Sequence, residues 1–422
     1  MKKPKKEKQS FWKKLGPGFI TGASDDDPSG IATYTQVGAQ FGFGQIWTVL
    51  LMWPLMVSVQ EMVARIGMVT GQGISAVIKK NYAKWVIYLF VILILIANTV
   101  NIGADFGAMA DSMHLILPQI PFVVFAIIFT ILILVLEIFI SYKTYAKILK
   151  WLALSLFSYL LTLLIVTGSW QEILFNTLVP HFIFSKEFIL ALTAVLGTTI
   201  SPYLFVWQSN EEVEEEISIG RTSIFKRKGA TKEEIVRMRK DTMIGMAFSQ
   251  IITFCIIGTA ANTFFKNGIF DIGSTAQAAQ ALEPLAGRFA SLIFSIGIIG
   301  TGLLAIPVLS ASAAYAFSEA FSWKEGLYKK LRDAHGFYGV ITIATLVGLL
   351  INFIGINPIK ALVLAAVLNG IVTPPLLAII LKVANNKKIM GQHKNGKLAN
   401  ALGICTLVFT AACVVLIFTL QK

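Results

Sequence analysis

Eleven apolar stretches, each close to the roughly 20 residues that carry a helix across a hydrocarbon core, recur along this 422-residue chain. We place them at roughly 17–38, 44–68, 85–113, 120–140, 147–168, 188–209, 241–262, 286–320, 337–354, 358–382 and 400–420. Inside lipid a peptide group has no water to bond to, so a segment of this kind must close its own hydrogen bonds as a helix. An all-α membrane protein follows. Only 14% of the residues are charged against 55% hydrophobic, so the length is used in bilayer helices rather than in one soluble core. The eighth stretch is long enough either to run past the membrane or to contain a break near Pro307.

A net charge of +13 would suit a nucleic-acid partner if it were spread over one surface, but it is not. The N-terminal tail and the loops 69–84, 141–150, 210–240, 321–336 and 382–399 hold 7, 3, 3, 8, 4 and 5 of the 36 basic residues. The loops between them hold little beyond Lys186 and Lys266. By the positive-inside rule the N-terminus is cytoplasmic, and an odd number of crossings puts the C-terminus outside a plasma or inner membrane. The basic excess is thus a topology signal, and the partners implied are the lipid bilayer and small ions; no protein partner is inferable.

Three further features have plain readings. The basic start before an apolar stretch has the outline of a signal peptide, but three aspartates interrupt it and no small-residue cleavage pattern follows. Cys255, Cys405 and Cys413 stand singly in apolar stretches, with neither disulfide nor zinc spacing, and are read as packing residues. The run Asn210-Glu211-Glu212-Val213-Glu214-Glu215-Glu216 reads as a solvated face of the sixth helix continuing into water.

The first stretch is the exception to apolarity. It reads Gly22-Ala23-Ser24-Asp25-Asp26-Asp27-Pro28-Ser29-Gly30-Ile31. One Asp at the centre of a membrane helix costs about 2.5–3.5 kcal/mol, so three cannot face lipid and must line a polar or ion-filled space. Pro28 removes a backbone donor and disfavours helix at Asp27. The expected result is an unwound stretch with freed carbonyls, tolerated at membrane depth only where it lines a cavity. The sixth stretch repeats the pattern in Leu196-Gly197-Thr198-Thr199-Ile200-Ser201-Pro202-Tyr203. The two lie five spans apart and therefore cross in opposite directions, and paired breaks of this kind mark the midplane site of a transporter built from inverted halves.

The chemistry of the breaks points to a cation. They offer carboxylate, hydroxyl and carbonyl oxygens with no Cys, Met or His, a set suited to hard divalent ions such as Mg²⁺, Ca²⁺ and Mn²⁺. We expect Asp27 as the charged ligand, with Ser24, Gly30, Thr198 and Ser201 supplying hydroxyl or carbonyl oxygens directly or through water. Asp26, Thr199, Tyr203, Asn98, Asn101 and Asp105 are expected to support these ligands or to line the pathway, the last three recurring on one face of the third span. Asp25 has no assigned role. Glu61 and Arg65 are spaced for an ion pair, Glu137 is read as reaching headgroups near the cytoplasmic face, and Asn369, Pro374 and Pro375 of the tenth span as candidates for shaping the pathway.

Asp27-Pro28-Ser29-Gly30, the following run Ile31–Gly42, and Ala64-Arg65-Ile66-Gly67-Met68-Val69-Thr70-Gly71 resemble the Nramp divalent-metal transporters. The resemblance implies a LeuT-type fold of 11 membrane helices: inverted repeats over 17–168 and 188–382, helices 1 and 6 broken at the midplane, one extra helix at 400–420 and a basic tail at 1–16. Two departures matter. The family's Asn in helix 1 falls on Gly30, and its Met-Pro-His-Asn in helix 6 falls on Ser201-Pro202-Tyr203-Leu204, as in the Nramp-related magnesium transporters. The family's acidic pair in helix 3 falls on Thr99 and Ile102, and His114, His181, His335 and His393 all lie in loops or at span ends. The reading is therefore a carrier of Mg²⁺ and Mn²⁺ as substrates, working by alternating access without proton coupling and without a cofactor. A proton-coupled Mn²⁺/Fe²⁺ transporter and a LeuT-type amino-acid carrier are the rival readings. A membrane aspartyl enzyme is disfavoured, since its two acids would stand on separate helices.

Overall fold

A computed structural model describes residues 16–140 and 156–420. The basic tail, the 141–150 loop and the first half of the fifth span lie outside the described residues. The rest is helical, with no strand among the described residues. The broken first span is α1 (Pro17–Asp25) and α2 (Pro28–Phe41). Then come α3 (Trp47–Thr70), the short α4 (Ile74–Asn81), α5 (Lys84–Ile116) and α6 (Phe122–Phe139). The described part of the fifth span is α7 (Phe157–Val166), which turns by 118° into α8 (Trp170–Leu178). The broken sixth span is α9 (Lys186–Thr199) and α10 (Pro202–Ser218). It is followed by α11 (Lys232–Thr263), α12 (Ala290–Phe321), α13 (His335–Ile351), α14 (Pro358–Ala384) and α15 (Lys397–Thr419). One-turn helices in the loops are left unnumbered.

Nine helical segments among the described residues are long and apolar enough to cross a bilayer, or ten if the bent α7–α8 pair is counted as one span. The interrupted α1–α2 falls outside that count and occupies the place of the expected first span. Differences from the sequence reading have local causes. α11 begins nine residues before the expected 241, because Thr231 and Glu234 form a capping box that starts the helix there; the Thr-x-x-Glu signal was legible. α12 runs unbroken through Pro307, so the break considered there is absent. α14 likewise continues through Pro374 and Pro375.

Two expectations about acids are corrected. Glu137 does not reach headgroups: it is buried and accepts a hydrogen bond from the Ser310 hydroxyl of α12. The Glu211–Glu216 run does continue the sixth helix, but not as a solvated face, for Glu211, Glu212 and Glu216 are buried. Glu214 accepts from the Tyr315 hydroxyl at 2.5 Å and from the Leu327 amide at 2.9 Å. Glu214 thus ties the inner end of α10 to α12 and to the loop after it.

The core places the two breaks face to face. α5 packs along α12 at the centre, α1 lies against α11, and α10 lies against α3. The α1–α11 crossing is a backbone-to-backbone contact. A Cβ on Gly22 would stand 2.2 Å from the Gly245 carbonyl oxygen, and one on Gly245 would stand 2.2 Å from that of Gly18. Membrane helices approach this closely only where small residues permit it. The Asp241 carboxylate then accepts from the Gly16 and Gly18 amides at 2.8 and 2.7 Å, satisfying the open N-terminus of α1. We expect Gly245→Val to force these helices apart, at a cost of at least the roughly 1–3 kcal/mol of core overpacking. A lowered thermal midpoint in detergent would show it; an unchanged midpoint would mean that the contact adapts.

Candidate cation site

Both breaks have one backbone design. Before the first, Asp26 takes φ −84°, ψ 59°; Asp27 is extended at φ −73°, ψ 172°, and Pro28 opens α2. Before the second, Ile200 takes φ −116°, ψ 59°; Ser201 is extended at φ −72°, ψ 132°, and Pro202 opens α10. The cause is local. Proline cannot donate and excludes helix from its predecessor, yet suits the first position of a new helix, where its missing N–H is not needed. Asp27 is also a favourable N-cap residue.

Asp27 is held from two sides. Its Oδ1 accepts from the Ser29 hydroxyl at 2.6 Å and from the Gly30 amide at 2.8 Å. Its Oδ2 accepts from Asn101 Nδ2 of α5 at 2.7 Å. Gly30 thus meets Asp27 through its N–H, and the α2 N-terminus favours the carboxylate's negative charge. One turn beyond Asn101 on the same face of α5 stands Asp105, fully buried with neither carboxylate oxygen hydrogen-bonded. Asn98, on the other side of Asn101, donates to the Leu309 carbonyl of α12 at 2.9 Å.

The three consecutive aspartates divide between two faces. Asp27 looks toward α5, whereas Asp25 and Asp26 look toward α11, where the Ser249 hydroxyl donates to Asp25 Oδ2 at 2.7 Å and lies 3.3 Å from Asp26 Oδ1. Asp25 Oδ1 and Asp26 Oδ2 have no partner. Asp25, Asp26, Asp27 and Asp105 are each at most 2% exposed. None of the ion pairs among the described residues involves them. Buried carboxylates cannot all carry charge without a compensating cation, and the protein supplies none of its own here.

The predicted hydroxyl and carbonyl oxygens are brought to the same place but are largely engaged. The Tyr203 hydroxyl donates to the Ser24 carbonyl at 2.9 Å, linking the two breaks. The Ser24 hydroxyl bonds back to Ile20, and Ser201 Oγ bonds back to Thr198 and Gly197. Thr198 and Thr199 both meet the Tyr34 hydroxyl, at 3.1 and 3.3 Å. Thr373 of α14 donates to the freed Ile200 carbonyl at 3.1 Å. Buried oxygens without partners here include Asp25 Oδ1, Asp26 Oδ2, both carboxylate oxygens of Asp105, Asn98 Oδ1 and Asn101 Oδ1. Tyr34, Ser249 and Thr373 escaped the sequence reading because a single hydroxyl within a helix carries no spacing signal of its own. Ser249 and Thr373 lie outside both breaks, and nothing local marks the partner they meet.

Thr99 is only partly buried, and Ile102 is apolar; the α5 side chain that reaches Asp27 is Asn101. Of the histidines, His114 lies in the last turn of α5, His335 opens α13, and His181 and His393 lie in loops. Among the described residues no three His, Cys, Asp or Glu side chains form a preformed metal cage. The donor set is therefore sparse, all oxygen and acidic, which is the kind of site that leaves an ion several of its waters.

The chain matches the Nramp family model, described as natural resistance-associated macrophage protein-like, over residues 18–420. A divalent metal cation transporter MntH of Caldanaerobacter subterraneus subsp. tengcongensis is 26% identical over 405 residues, covering 96% of this chain and 92% of that protein. The MntH of Yersinia enterocolitica is 26% identical over 400 residues, covering 92% and 90%. Among solved structures, the Eremococcus coleocola manganese transporter superposes with a TM-score of 0.75 at 16% identity, covering 98% of this chain and 87% of that one. The nucleobase-cation-symport-1 transporter Mhp1 superposes at 0.55 and 13% identity, covering 96% and 92%. The fold is that of the LeuT-type transporters.

Proposed function

Because this chain belongs to the Nramp family, we propose that it is a divalent metal cation transporter that carries Mg²⁺, together with Mn²⁺, by alternating access and without moving protons. The observation that carries this reading is the set of four buried aspartates without a cationic partner, gathered where two broken helices meet. A doubly charged ion supplies the missing charge. Asp27 is its principal ligand, with Asp105 and the free Asn101 Oδ1 on α5 facing it. Ser24, Gly30, Thr198 and Ser201 surround the ion and contribute oxygens when their internal bonds open, with water completing the shell.

Hard-ion preference rests on what the breaks lack. Neither contains a thioether, thiol or imidazole, the donors that favour softer transition metals. Manganese enters the reading because the relatives are named for divalent metals and, in one case, for manganese. All four acids are closed to solvent in this conformation, so an ion enters or leaves only when one half of the bundle moves against the other, which supports a carrier. The halves assigned are 17–168 and 188–382, and their similar break geometry supports that division. The protein sits in the plasma or inner membrane with its basic loops in the cytoplasm.

Absence of proton coupling is supported by the missing histidine relay and by Asn101 standing where α5 meets Asp27. In proteoliposomes with a pH-sensitive dye inside, an inward Mg²⁺ gradient is expected to produce uptake with no acidification above that of empty vesicles. Metal-driven proton entry, or strong Fe²⁺ or Cd²⁺ uptake at acidic pH, would instead establish the proton-coupled transition-metal reading.

A further inference from the structure

A groove of about 440 Å³ opens on the side of the bundle between α3, α11 and α15, away from the ion site. Its lining is ordered along the membrane normal. On α3 it runs from Trp53 to Arg65, 12 residues or about 18 Å of helix, close to the thickness of one hydrocarbon leaflet of roughly 15 Å. On each helix the charged residue lies toward the end where the basic loops gather, and the apolar residue lies deeper. The pairs are Arg65 and Trp53 on α3, Arg239 and Met243 on α11, and Lys397 and Leu402 on α15.

The charged end is built for an anion. Three cationic side chains face one carboxylate, Glu61, which pairs with Arg239 at 2.7 Å and with Arg65 at 3.7 Å. Arg65 is only 6% exposed and bonds to Asn395, yet its Nε has no partner. Lys397 has no carboxylate partner among the described residues. The same end contains the first turn of the 23-residue α15, whose N-cap, Gly396, offers no side-chain bond to the open amides. Such a terminus favours an anion, and here it stands with a buried guanidinium whose Nε is unpartnered and with two further cations.

We propose that this groove holds one anionic glycerophospholipid of the cytoplasmic leaflet. Its phosphodiester lies against Arg65, Arg239, Lys397 and the α15 amides, and an acyl chain lies along Trp53, Met243 and Leu402. A lipid rather than a soluble anion is the occupant because the apolar half continues directly from the charged half and the two together span about the depth of one leaflet. Basic pockets between membrane helices on the cytoplasmic side take anionic headgroups for the same electrostatic reason.

Native mass spectrometry of the full-length protein in detergent, titrated with phosphatidylglycerol or phosphatidylcholine of equal chain length, tests this. The wild type is expected to retain one phosphatidylglycerol in preference to phosphatidylcholine by on the order of tenfold or more. The double variant Arg239→Gln, Lys397→Gln removes that preference, and Leu402→Trp, which fills the apolar half, weakens retention of both lipids. Thermal midpoints of the variants confirm that each is folded. Equal retention of the two lipids by the wild type, or an undiminished preference in the double variant, overturns the proposal. So does release of the bound lipid by millimolar inorganic phosphate, which would make the site one for a free anion.

Discussion

Asp27→Ala is expected to lower Mg²⁺ uptake into proteoliposomes to the level of protein-free vesicles while the protein remains monodisperse in detergent. The carboxylate is the only one of the four aspartates with both oxygens fixed, Oδ1 by the α2 N-terminus and Oδ2 by Asn101. A group so positioned meets an ion without having to reorganise. Changing residues that merely support metal ligands costs roughly 10–100-fold in affinity, so loss of the charged ligand itself should exceed that range. The alanine also removes an N-cap, which costs about 0.5–2 kcal/mol. Asp27→Asn separates the two effects, because its amide oxygen can still accept from Gly30. If the asparagine variant is folded and inactive, charge is what matters. Near-normal uptake by the alanine variant would remove the central claim.

The second large effect is expected at Asp105. Asp105→Asn should raise the KM for Mg²⁺ by roughly 10–100-fold with a smaller change in maximal rate, because it removes a charge near the ion and leaves Asp27 in place. Both Asp105 oxygens are buried without partners, so the substitution breaks no hydrogen bond, and stability should hold or rise. Asn98→Ala is the matching control on the same face of α5. It deletes a bond to Leu309 worth about 1 kcal/mol and should lower thermal stability without moving KM. Should Asp105→Asn leave KM unchanged, Asp105 is a buried acid outside the ion's reach.

Much of the site was legible because its cause is local. Three acids followed by proline inside an apolar stretch admit one physical solution, an unwound and sequestered segment. The second break follows from the same proline logic. Asn98, Asn101 and Asp105 were visible as a polar face of one helix. Their ranking was not: that Asn101 touches Asp27 while Asn98 turns to Leu309 depends on how α5 is rotated against α2 and α12. Glu137 and the Glu211–Glu216 run were misread for a related reason. An acid near a helix end looks solvated unless one knows which helix packs over it, and here α12 and its following loop do.

The sequence by itself determined that this chain crosses a membrane many times, where two of its helices must break, and that the breaks carry oxygen donors with no sulfur or imidazole among them. These are consequences of hydropathy, proline geometry and ligand chemistry, all of which act within a few residues. Only the tertiary structure decided which acids share a face. The backbone turn between Asp26 and Asp27 sends one carboxylate to α5 and two to α11, and glycine contacts between α1 and α11 fix the depth at which they meet. Such pairings join residues far apart in the chain, as Asp25 and Ser249 are at 224 positions, and nothing in the local chain encodes a partner at that distance.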